Sequence, residues 1–145
     1  MKGLLRFAAL FTVAVALCSA AVPRITSVEP GAATPGDEIV ANGVNLDSKT
    51  VTKLFLTAGG NDIQVQIQDQ TAEAIRFAVP KNAEIGTYYN LMLQTGGAAP
   101  ALLEQPIGCH VDDAEGVKRR AEEDAALAEG PVEETVGEEP AENQN

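Results

Sequence analysis

Residues 62–80 read DIQVQIQDQTAEAIRFAVP, and their alternation decides the fold class. Ile63, Val65 and Ile67 interleave with Gln64, Gln66 and Gln68; after a polar break, Ile75, Phe77 and Val79 interleave with Arg76 and Ala78. A repeat of two places every second side chain on one side of an extended chain, so each run predicts a strand with one apolar and one wet face. Residues 69–74 join the runs without a two-residue Asn-Gly turn, which leaves the strands either paired with each other or set on opposite sheets. Both arrangements need a covering layer, because a lone strand pair is not stable in water. Residues 25–111 have to supply that layer.

They contain enough strand for it. Ile25 and Val28 predict a short first strand ending at Pro30-Gly31. Pro35-Gly36 precedes a second, residues 38–42, with Ile39 and Ala41 inward; Gly43 ends it where a positive φ or a close backbone approach is expected. Residues 51–57 form a third, with Leu54 and Leu56 inward and Lys53 and Phe55 outward. Gly59-Gly60-Asn61-Asp62 then turns into the opening stretch. Later, Tyr89, Leu91 and Leu93 alternate with Asn90, Met92 and Gln94, the best core candidate after the opening pair. Tyr88 or Tyr89 stands near the start of that strand, either as a tyrosine corner bonding back to the chain or as a plain packed ring. Residues 101–111 supply a final strand, which Pro100 and Pro106 restrict to an edge or a bulged course.

The ends of the chain have different compositions. Lys2 and Arg6 precede a stretch without charge, residues 7–21, that closes on Ser19, Ala20 and Ala21; this is the pattern of a secretory signal peptide over residues 1–21. Its 15 uncharged residues fall short of the roughly 20 that a membrane-spanning helix needs, so an integral membrane protein is not expected. Val15-Ala16-Leu17-Cys18 is close to a lipobox, but Leu17 stands where that pattern needs a small residue, and lipid anchoring at Cys18 is not expected. The expected location is extracytoplasmic: periplasmic, cell-surface or secreted. Loss of the leader leaves Cys109 as the only cysteine, so no internal disulfide can form and the core must hold the fold.

At the other end, residues 112–145 form an acidic extension. Residues 111–145 hold three basic and twelve acidic residues, a net of −9 out of −11 for the whole chain. Asp112 or Asp113 can cap a helix running to about Glu129, stopped by Gly130-Pro131. Its apolar side, Ala114, Val117, Ala121, Ala125 and Ala128, buries too little to dock firmly, so a marginal helix and then disorder from residue 131 are expected.

Residues 23–94 resemble an IPT/TIG domain. The resemblance is carried by the turns at Pro30-Gly31 and Pro35-Gly36, the segment 39–46 ending Asn42-Gly43-Val44-Asn45-Leu46, the strand closing on Pro80, and Gly86-Thr87-Tyr88 before an alternating run. It implies an all-β, immunoglobulin-like antiparallel sandwich over residues 22–111, and a non-catalytic module of the kind found in bacterial surface and secreted proteins and in carbohydrate-active enzymes. The last strand departs from the family pattern, because prolines interrupt it. The resemblance brings no catalytic residues with it.

The chemistry of the residues agrees with a binding role. His110 is the only histidine and has no identifiable nucleophile beside it. Cys109 and His110 are adjacent in a strand, so they point to opposite faces, and no second ligand pair accompanies them. Asp47, Asn61 and Asp62 lie in loops that could gather at one end of a sandwich, but without a calcium-loop spacing. No catalytic, cofactor-binding or metal-binding residues are therefore assigned. The acidic balance disfavours nucleic acid. The outward row Gln64, Gln66 and Gln68 is the candidate binding face, since amide ladders can hold sugars, peptides or another sheet edge; the alternative is a merely solvated strand face. Asp62 and Asp69 flank that run as charges that oppose aggregation. The expected function is a non-catalytic binding or structural module contacting a protein or polysaccharide at the cell envelope. The alternative is an accessory subunit of a carbohydrate-active enzyme.

Overall fold

The computed structural model of the chain describes residues 21–130. Of the expected signal peptide, residues 1–21, all but Ala21 lie outside the described residues, as does the acidic end at 131–145.

Among the described residues, nine strands and one helix follow in order: β1 Arg24–Glu29, β2 Ala32–Ala33, β3 Glu38–Val44, β4 Val51–Ala58, β5 Asn61–Gln64, β6 Ile67–Gln70, β7 Ala74–Ala78, β8 Thr87–Thr95, β9 Leu102–Val111 and α1 Ala114–Ala128. The strands make two layers, ordered β1-β3-β7-β6 and β2-β9-β8-β4-β5. All pairings are antiparallel except that of β2 with β9. This is the strand order of an immunoglobulin-like sandwich: a four-stranded layer against one whose centre is formed by the third, sixth and seventh strands of that fold. The expected all-β, immunoglobulin-like architecture is the observed one.

The opening stretch behaves differently in its two halves. β5 pairs with β4 in the five-stranded layer, with Ile63 opposite Leu56. β6 pairs with β7 in the four-stranded layer, with Ile67 opposite Phe77. The run expected as one strand therefore changes sheets at Val65 and Gln66, and both arrangements left open by residues 69–74 are realised, one by each half. A second crossing at Pro30 and Gly31 joins β1 to β2, and the Glu29–Pro30 peptide there is cis. Since β1, β2, β5 and β6 are the edge strands, each long side of the sandwich carries one two-residue crossing.

The core lies between the layers. Ile39, Ala41, Ile75 and Phe77 from one side meet Leu54, Leu56, Leu91, Leu93 and Cys109 from the other, all fully buried. The alternation of two brings these side chains to the shared interior. Gln105 is a buried polar exception: its Oε1 accepts from the Ile25 N–H at 2.9 Å and ties β9 to β1 across the layers. Pro106 sits in a bulge, where Asn90 faces Gly108 and Met92 faces Glu104. The bulged alternative for the last strand is thus the observed one, and the strand lies between β8 and the short β2.

Two glycines and a tyrosine fix local geometry. Gly59 and Gly60, with φ 58° and 87°, close the β4–β5 hairpin in the left-handed conformation that a tight two-residue turn demands. Gly43 has no positive φ; a Cβ there would strike the carbonyl of Arg24, so it marks a close backbone approach. The Tyr89 hydroxyl accepts from the Glu84 N–H at 2.9 Å, which is the tyrosine-corner arrangement. Tyr88 points the other way.

Candidate functional site

Strand alternation gives each layer an outward face, and the two outward faces differ. That of the four-stranded layer is mostly charged and polar, with half-buried Val40 opposite Arg76 and exposed Val44 as its aliphatic members. Arg76 lies 3.5 Å from Glu38 and opposite Asp69, while Asn42 donates to the Ser27 hydroxyl at 3.2 Å. Such a surface is well solvated as it stands.

The outward face of the five-stranded layer carries apolar groups instead. Gln64, Phe55, Met92 and Glu104 stand side by side across β5, β4, β8 and β9. Met92 is only 9% exposed although it points away from the core, because Phe55 and Glu104 flank it. Phe55 is half-buried and is not part of the interior cluster. On one side of this row Asn90 donates to Glu104 Oε1 at 2.9 Å. Beyond it, Tyr88 is 44% exposed and meets His110 edge-on, with ring centroids 4.8 Å apart and planes at 61°. On the other side Lys53, Gln94 and Leu102 form a further row, and Leu102 is 56% exposed.

The expected glutamine row is broken up by the sheet change. Gln64 remains on this face, next to Phe55. Gln66 falls in the crossing between layers and Gln68 in a bulge of β6 on the opposite layer, both exposed. The three amides therefore form no common ladder: a period of two holds only while a segment stays in one sheet. Asp47, Asn61 and Asp62 likewise do not gather. Asp47 lies in the β3–β4 loop and Asn61 and Asp62 begin β5 at the other end of β4. The face centred on Phe55 and Met92 was present in the sequence as outward positions of two alternating runs; the missing information was that these runs are neighbours.

Titratable groups are few here. Cys109 is fully buried on the inner side of β9, and burial pushes its thiol up to about 11. A thiol in that state is a poor nucleophile. Burial also lowers the His110 imidazole below its ordinary value, and the Arg120 guanidinium adds to the effect against the opposing pull of Asp112 and Asp124. Its Nδ1 is buried without a hydrogen-bond partner among the described residues. Among those residues, no group of three or more His, Cys, Asp or Glu side chains is placed to hold a metal ion, and no helix is long and apolar enough to cross a membrane.

No family model matches the chain, and no curated protein matches it in sequence. Solved structures do. A candidate phosphatase of Bacteroides thetaiotaomicron matches at a TM-score of 0.46 with 15% identity, over 64% of this chain and 19% of that one. The SGBP-B protein of the Bacteroides ovatus mixed-linkage glucan utilization locus, solved with a mixed-linkage heptasaccharide, matches at 0.37 with 19% identity, over 52% of this chain and 17% of that one. This chain thus spans less than a fifth of the length of either solved chain.

Proposed function

We propose that the chain is a non-catalytic binding module of the cell envelope, of the IPT/TIG kind, that holds a neutral polysaccharide against the outward face of its five-stranded layer. The observation that supports this is the placement of Phe55, Met92 and Tyr88 on one outward face, surrounded by the amides of Gln64, Asn90 and Gln94. A pyranose ring offers a patch of C–H groups bordered by hydroxyls, which suits an aromatic side chain flanked by amides. A permanent protein interface would call for a larger continuous apolar centre. The net charge of −11 favours a neutral glycan over a polyanionic one. The secretory leader read at residues 1–21 supports a place outside the cytoplasm, where such polymers occur.

Affinity electrophoresis through gels containing neutral polysaccharides tests the reading. At least one glucan, mannan or xylan should retard the protein. Phe55→Ala together with Tyr88→Ala should weaken that retardation by about tenfold, the effect of losing roughly 1.4 kcal/mol of ring contact. Their circular dichroism should be unchanged. Retardation equal in the double variant, or absent for every neutral polymer tried, would overturn it.

A further inference from the structure

At the end of the sandwich where β1 begins, the layers part. A cleft of about 420 Å³ opens there between the N-terminal segment and the β3–β4 and β8–β9 loops. Volumes of this order are usual for small-molecule sites. Leu103, which packs on the core, and buried Pro23 form an apolar floor, and Val22 and Ala99 form walls.

The polar groups of the cleft decide what it can take. Thr50 and Thr95 border it, but their hydroxyls are engaged in the loops. Thr50 Oγ1 donates to Asp47 Oδ2 at 2.9 Å, and Thr95 Oγ1 accepts from the Ala101 N–H at 2.8 Å. A sugar, which needs several converging hydrogen bonds, would find few. Lys49 is the one charged residue of the lining, and among the described residues it takes part in no ion pair. The nearby Asp47 carboxylate is taken up by the Lys49 and Thr50 N–H groups and the Thr50 hydroxyl, so an exposed ammonium beside an apolar floor, in a chain of net charge −11, is complementary to one anionic group on an aliphatic body.

The geometry points to a second binding site in this cleft, for a small aliphatic carboxylate whose chain lies on Leu103 and Val22 and whose carboxylate meets Lys49. This site is separate from the outward sheet face and does not depend on it.

Titration of the purified chain with decanoate, followed by backbone amide NMR, tests the assignment. Shifts should concentrate at Gly97, Ala99 and Leu103, with a Kd of about 1 mM or tighter for a ligand of this size. Lys49→Met keeps the aliphatic stem and removes the charge; it should weaken binding by about fivefold, as for a partly exposed ion pair. Ala99→Phe fills the cleft from an exposed loop position and should abolish the shifts. The assignment is overturned if decanoate leaves the cleft amides unmoved, if its shifts fall on the Phe55 and Met92 face instead, or if Lys49→Met binds as well as the parent chain.

Discussion

Gln105 shows how much can rest on one side chain. Its amide oxygen is the partner of a buried N–H on a strand of the other layer, so Gln105→Leu keeps the volume but leaves the Ile25 donor unpaired. The expected loss is about 1–3 kcal/mol, measured by urea denaturation. Tyr89→Phe removes only the corner hydrogen bond to Glu84, and about 1 kcal/mol should be lost with the ring packing intact. The two positions were unequally legible. Tyr89 lies next to a glycine-led turn at the head of an alternating strand, so its two possible roles could be named beforehand. Gln105 gave no local sign: its partner is 80 residues away in sequence, and only the meeting of β1 and β9 creates the need for an acceptor.

Among the elements, α1 is the most weakly held. Asp113 caps it, its side chain accepting from the Gly116 N–H at 2.7 Å, and Arg120 lies 3.3 Å from Asp112. Gly116 is its only buried residue, packed so closely on Asp112 that a Cβ would collide, and residues 121–130 are exposed throughout. Cap and helix could be expected from the aspartates before an alanine-rich run; which aspartate caps could not, since it depends on Asp112 turning inward to meet Arg120. Limited proteolysis should trim the chain back through residues 121–130 to a resistant fragment ending close to Asp112, and hydrogen exchange in the last two turns of α1 should be fast. A tail as resistant as the strands would show a docking surface for the helix. The opening run is the opposite case. Its two strand-like halves were plain from periodicity, but their assignment to separate sheets was not, because alternation records which side chain turns inward and is silent about the neighbour that pairs with the backbone.

At the scale of the whole molecule, acid should destabilise the fold in two steps. His110 has a folded value below 6.5, so as the pH falls through that point the unfolded chain takes up its proton first. The stability tied to a neutral His110 is complete above pH 6.5 and declines as pH falls toward the folded value. Asp37, held down by the Thr34 backbone and hydroxyl, and Asp47, held down chiefly by Thr50, add a second decline below their ordinary value of 3.8. Thermal melts from pH 8 to pH 3 should show the first decline in the parent chain, and His110→Asn should remove it while keeping the second. The two crossings at residues 30–31 and 65–66 bear on the same scale. Stitched along both flanks, neither layer can peel away and leave the other standing. Drawn out from its two ends in an optical trap, the body from β1 to β9 should resist as a unit and then give way in a single rip, with no plateau for a half-open sandwich.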